Sequence, residues 1–203
     1  MPESGTDLSR QDRRETGQLM KHPSSRKFFA YWDDRRGAER APDRSDIEPG
    51  PMRELLGDIF VLGYDHDDGS PFRVAGTRVC ALLGRDLKGQ DFSALFTPGS
   101  RREIGDLIGI VAEELLAIVA GVTARAEDGS PVNLELLLLP FNTRPHAPLS
   151  LSGLLVPLSG GHKVLSDFNL ASWRALNHPP RFHPRELRKW PVARGFMVYE
   201  GLR

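Results

Sequence analysis

Hydrophobic and polar positions along this 203-residue chain change their period several times, and each change marks a predicted element. Ile59-Phe60-Val61-Leu62-Gly63-Tyr64 is a continuous β-prone run, and Asp65 to Pro71 is dense in turn formers. Phe72-Arg73-Val74-Ala75 then alternates as a half-buried strand does, so a hairpin is predicted with Phe72 and Val74 facing in and Arg73 facing out. Gly76-Thr77 breaks the strand. Arg78 to Leu83 predicts a short helix ending at Gly84, where glycine takes the left-handed conformation at little cost. Gly89 restarts the chain before the short segment Phe92 to Phe96. Ile104, Leu107, Ile108, Val111, Leu115 and Ile118 recur at steps of three and four, predicting one long helix over 101–119 with a single apolar stripe. Three strand-like segments follow, at 121–127, 132–141 and 148–158. Asp128-Gly129-Ser130-Pro131 connects the first two tightly and 142–147 connects the last two more loosely, which predicts an antiparallel meander.

Upstream of the hairpin, Phe28, Phe29, Tyr31 and Trp32 fall at near-helical spacing from Ser24, and Gly37 follows Arg35-Arg36 as a stop. The aromatic face of this helix either packs on the protein's own sheet or builds a dimer seam. Ala41 to Pro51 contains three prolines and reads as a loop leading into a short helix at Met52 to Leu56. Downstream, Trp173, Phe182, Trp190, Phe196 and Tyr199 need a surface to cover, with a helical turn expected at 185–190 and a strand or extended arm at 195–200. The expected divisions are a disordered segment at 1–20, a helical extension at 21–56, a central domain at 57–160 and a basic, aromatic tail at 161–203.

Charge changes the picture by its distribution. Lys plus Arg and Asp plus Glu are 27 each, so no overall field steers the protein to nucleic acid or membrane. Residues 51–171 nevertheless hold ten cations against fifteen anions, and residues 172–203 hold seven against two. The single cysteine, Cys80, excludes an internal disulfide and a cysteine-rich metal site, and fits a reducing compartment. No apolar run approaches the roughly 18 to 20 residues of a membrane helix, and Pro2 to Arg14 has no signal-peptide character. A soluble cytoplasmic protein with no membrane partner is expected.

Two strands, short helices, a long helix and three strands resemble the order of a PAS domain. Cys80-Ala81-Leu82-Leu83-Gly84-Arg85-Asp86-Leu87-Lys88-Gly89 is similar to the PAS run in which a leucine-glycine helix end precedes another leucine and glycine. His22-Pro23, Tyr31-Trp32, Arg35-Arg36-Gly37, Pro42 to Pro49, Ile59-Phe60, Phe72 to Arg78 and Leu83 to Leu87 together resemble a bacterial family of stand-alone PAS proteins, found mainly in alphaproteobacteria. The likeness runs from about 22 to 160. It implies an α+β fold, a five-stranded antiparallel sheet with helices on one face, and a sensory or regulatory module with no attached output domain and no catalytic activity.

In such a fold a ligand lies between sheet and helices. The inward positions are Phe60, Leu62, Phe72, Val74, Leu82, Phe92, Phe96, Leu107 and Val111, all apolar, with Thr77 and Arg78 as possible polar anchors. They form either a filled core or a pocket for a small apolar ligand, and the cofactor stays unknown. PAS haem sensors commonly use a histidine on the long helix, and 91–119 contains none. Photoreactive flavin PAS domains need an Asn-Cys-Arg type motif, and Arg78-Val79-Cys80-Ala81 is not one, so Cys80 reads as a small buried apolar residue.

Enzyme signatures are poor. Ser150-Leu151-Ser152-Gly153 lacks the glycine two residues before the serine of a nucleophile elbow, and Gly160-Gly161 is not followed by the Lys-Ser/Thr of a phosphate loop. His178 and His183 do not have the spacing of a helical metal pair, and Asp65, Asp67 and Asp68 lack the glutamate that closes a calcium loop. No catalytic or metal-binding residue is assigned. Arg185, Arg188, Lys189 and Arg194 with Trp190 and Phe196 offer a nucleic-acid surface, or else dock on an acidic surface of this or a partner subunit. The expected function is a PAS sensor or adaptor working through ligand-dependent or partner-dependent association, as a homodimer or with a signalling protein, through Phe28, Phe29, Tyr31 and Trp32. A scaffold with a filled core is the alternative, and a nucleic-acid-binding regulator ranks behind both.

Overall fold

A computed structural model describes residues 16–66, 69–142, 148–160 and 164–176, together with the backbone of 187–192 and 196–201. In chain order the elements are helix α1 (Pro23–Arg36), strands β1 (Ile59–Tyr64) and β2 (Phe72–Ala75), helices α2 (Thr77–Leu83) and α3 (Pro98–Glu114), and strands β3 (Ile118–Ala126), β4 (Pro131–Pro140), β5 (Leu149–Pro157), β6 (Leu165–Ala175), β7 (Leu187–Val192) and β8 (Phe196–Gly201). Short 3-10 turns at Arg44–Asp46, Gly50–Met52 and Phe92–Leu95 join them. The first six strands form one antiparallel sheet in the order β2-β1-β5-β4-β3-β6, and β7 pairs with β8 in a separate hairpin.

Both faces of the central strands are covered. Along β4, Leu134, Leu136 and Leu138 point to the face packed by α2 and α3, while Leu137 and Leu139 point to the opposite face under α1. In β5 Leu151 and Leu155 serve the first face and Leu154 and Val156 the second. Strands buried on both sides lose the polar half of their alternation, so these segments read as nearly continuous apolar runs.

Helix α1 starts at Pro23, whose missing N–H costs nothing at a helix start, with the His22 ring accepting from Ser24 N at 3.1 Å. Its docking is specified by polar contacts as well as rings. The Glu135 carboxylate, buried in the outer face of β4, accepts from Lys21 N at 2.6 Å and His22 N at 2.9 Å. The Trp32 indole N–H donates to Pro140 O at 2.9 Å, and the Arg36 guanidinium lies 5.7 Å from the Trp32 ring centroid.

The structure corrects several sequence expectations. Residues 16–19 make a helical turn and Met20 is buried beneath α1, so order begins before residue 21; residues 1–15 lie outside the described residues. The long helix ends at Glu114, because Leu115 enters the left-handed region at φ 54° and hands Ile118 to β3. The sheet has six strands: Leu165–Ala175, assigned to the tail from sequence, pairs along the whole of β3 from Ala126↔Leu165 to Ile118↔Ala175. Residues 187–190 are strand backbone, where a helical turn was expected.

Candidate functional site

Between the sheet and helices α2 and α3, five phenylalanine rings form a connected row. Phe60 lies 5.2 Å from Phe92 and 5.6 Å from Phe72, Phe92 lies 5.5 Å from both Phe72 and Phe96, and Phe96 lies 5.9 Å from Phe168, centroid to centroid. These are tilted, edge and offset contacts of the kind aromatic quadrupoles favour. Gly153, opposite Phe60 in the β1–β5 ladder, makes room for that ring: a Cβ there would collide with three Phe60 ring carbons. Leu62, Leu82, Leu107 and Val111 complete the packing, all buried. A planar ligand seated between sheet and helices would have to displace these rings.

Of the nine expected lining positions, eight therefore share one core, and Val74 is the exception. Leu62 pairs with Phe72 while Val61 pairs with Val74, which leaves Arg73 as an extra residue, a β-bulge. The bulge breaks the alternation, and Val74 stands 53% exposed on the other face. Neither expected polar anchor faces the core. Thr77 is exposed at the start of α2. Arg78 grips Asp58 through two 2.7 Å hydrogen bonds, from Nε to Oδ1 and from Nη2 to Oδ2, and donates a third to Glu54 O at 2.7 Å. The bond to Asp58 raises the Arg78 pKa still further. This fork ties the start of α2 to the turn before β1.

The aromatic face of α1 resolves in favour of the protein's own sheet. Phe28, Phe29 and Trp32 are buried among Met52, Leu137, Leu139 and Leu154, and Tyr31 is half-buried with its hydroxyl accepting from Glu48 N at 3.0 Å. Rings already in the core cannot form a dimer seam while α1 is docked. Cys80 is half-buried against the core, its Sγ 4.0 Å from Ala75 O. His178, His183, Asp67, Asp68 and the side chains of the basic tail, including Arg185, Arg188, Lys189, Trp190, Arg194 and Phe196, lie outside the described residues. Among the described residues, no cluster of three His, Cys, Asp or Glu groups has a metal-binding arrangement.

Cavities open elsewhere among the described residues. One, of about 460 Å³, lies on the outer face of β1 and β2 beside the end of the N-terminal extension, lined by Phe28, Met52, Ile59, Val61, Val74 and Phe141 among others, with Leu56 and Val74 exposed along it. Another, of about 410 Å³, lies where the start of β6 crosses the amino end of α3. Phe168 and this second cavity escaped the sequence reading. The signal present was the alternation Phe168-Asn169-Leu170; Asp167, at φ 51°, interrupts it just upstream. At the carboxyl end of α3, the Tyr64 phenol donates to Glu113 at 2.6 Å, and burial, then that bond, pushes its pKa up to about 12.

An antiparallel sheet with short helices and one long helix across one face defines the class of fold, and the sequence agrees with it. Residues 20–156 match the PAS domain family, and the chain belongs to that family. No protein of curated function matches it in sequence. Among solved structures, the Rhodobacter sphaeroides light-oxygen-voltage protein is 15% identical, with 53% of this chain and 64% of that chain covered and a TM-score of 0.41. The PAS domain of a Colwellia psychrerythraea protein is 15% identical over 52% of this chain and 93% of that one, TM-score 0.39. An RNA-binding light-oxygen-voltage receptor is 18% identical over 56% of this chain and 33% of that one, TM-score 0.41. This chain thus covers under two thirds of the first of these, and what those receptors bind belongs to them. No described helix is long and apolar enough to cross a membrane.

Proposed function

We propose that this protein is a PAS adaptor: a regulatory module without catalysis of its own, which passes a signal by associating with another protein and does not enclose a ligand among the phenylalanine rings of its interior. The observation that carries this reading is the packed row Phe60, Phe72, Phe92, Phe96 and Phe168, with Gly153 fitted against Phe60. A ligand site ordinarily combines an open cavity with a few placed polar groups. Here the interior positions are apolar and ring-filled, and the two polar candidates, Thr77 and Arg78, face elsewhere. The lone free cysteine suits a reducing compartment, and the proposal places the protein in the cytoplasm.

The test is native mass spectrometry of protein purified from its own host, followed by NMR of any small molecule retained. The expected spectrum shows a homo-oligomer or a complex with a protein partner, and no retained molecule in contact with the interior rings. A retained molecule giving nuclear Overhauser contacts to Phe60 or Phe92 would overturn the reading and make the protein an interior-ligand sensor.

A further inference from the structure

We infer that the cavity of about 410 Å³ between β6 and the amino end of α3 binds a small organic monocarboxylate. Its accessible apolar surface comes from Ala94, Pro98 and Val164, with Leu95, Phe96 and Phe168 buried behind them at the edge of the core. Its rim carries Arg85, Arg101 and Asp167. Arg101 spends one N–H on Phe96 O at 3.3 Å, which holds its guanidinium beside the cavity with further donors open. The Arg85 guanidinium makes no hydrogen bond or ion pair among the described residues. Two guanidinium groups beside a small apolar wall recognise an anion attached to a small hydrocarbon body, because a carboxylate matches the guanidinium fork and the body covers Ala94, Pro98 and Val164.

The third rim residue narrows the charge. With Asp167 lining the same cavity as the two arginines, its charged residues sum to one positive charge, which one carboxylate neutralises and a phosphate dianion exceeds. The volume sits at the small end of the roughly 300–1,000 Å³ range of ligand cavities, so the body is one ring or a short chain. The wall from Val164 to Phe168 lies beyond the residues that match the PAS family, and without β6 this cavity would be an open flank of α3. The site therefore depends on β6, is independent of the adaptor reading, and lies at the edge of the ring-filled interior, beside Phe96 and Phe168.

The probe is sodium benzoate, compared with uncharged benzamide, followed by amide shifts of the full-length 15N-labelled protein at physiological salt. Benzoate is expected to move the amides of 95–101 and 164–168, with an affinity at least about fivefold above that of benzamide. Arg85→Gln combined with Arg101→Gln, both exposed and outside the core, should lower benzoate affinity about tenfold and leave the rest of the spectrum in place. Equal affinity for benzoate and benzamide would overturn the proposal, as would unchanged benzoate binding by the double variant or shifts centred on Phe60 and Phe92. Displacement of benzoate by inorganic phosphate at equal concentration would overturn the monocarboxylate assignment.

Discussion

Replacing Phe92 with alanine separates a filled interior from a ligand pocket. Its ring is 1% exposed and touches three others, with centroids 5.2 Å from Phe60 and 5.5 Å from Phe72 and Phe96. Truncation leaves a void of roughly 100 Å³ if nothing relaxes, which at about 24 cal/mol per Å³ costs about 2.4 kcal/mol, and the transfer free energy of the deleted atoms brings Phe→Ala to about 3–5 kcal/mol. Taking one ring out of three aromatic pairs at once favours the upper half of that range, since each pair contributes about 0.5–1.5 kcal/mol beyond its buried area.

Urea denaturation followed by far-UV circular dichroism measures the change, with an unchanged slope needed to assign it to stability. Since small domains have only about 5–15 kcal/mol in hand, the variant stays folded or lies close to the margin. A fold that survives should bind benzene or xenon, because an engineered cavity lined by apolar groups stays dry. A loss below about 1 kcal/mol would refute the reasoning: the ring would then not be packed as the structure shows, and the interior would be open enough to take a ligand.

Other substitutions probe other joints. Gly153→Ala should destabilise by about 1–3 kcal/mol, as overpacking does, and Phe60→Leu in the same chain should recover part of the loss in a double-mutant cycle; additive effects would contradict the contact. Glu135→Ala removes the acceptor for two backbone N–H groups and should cost about 2–3 kcal/mol, with faster tryptic cleavage after Lys21; cleavage at the wild-type rate would show that the carboxylate does not hold the segment. Tyr64 holds its proton more tightly folded than unfolded, so its contribution to stability is complete below about pH 10 and is lost as pH rises toward 12. Phenolate absorbance should show a component near pH 12 in the folded protein that Tyr64→Phe abolishes, and its persistence in that variant would assign it to another tyrosine.

Much of this architecture is legible in the sequence because its local signals agree. Gly84 ends α2 at φ 64°, as glycine after Leu83 suggests, and Asp128-Gly129-Ser130 closes the β3–β4 turn with Gly129 at φ 80°. Eight of the nine inward positions named from the resemblance to a PAS fold lie in the core. The misplaced ninth, Val74, depends on the bulge at Arg73, which a four-residue strand does not announce. β6 was hidden for a related reason: Asp167 in the left-handed region and two irregularities in its pairing with β3 break the period that would mark a strand.

What periodicity could not decide was which surface would cover a given face. The aromatic stripe of α1 suits a partner's sheet as well as its own, and Glu135 helps to distinguish the two. A charged residue inside Leu134-Glu135-Leu136-Leu137-Leu138-Leu139 is a poor choice for a face open to apolar partners and a good one for anchoring a chain end, because a buried carboxylate needs donors and backbone N–H groups at a helix start need an acceptor. Lys21 N and His22 N meet that need within the same chain. The aromatic helix is thereby tied to its own sheet, and any association between proteins has to use surface other than the faces of Phe28, Phe29 and Trp32 that this docking consumes.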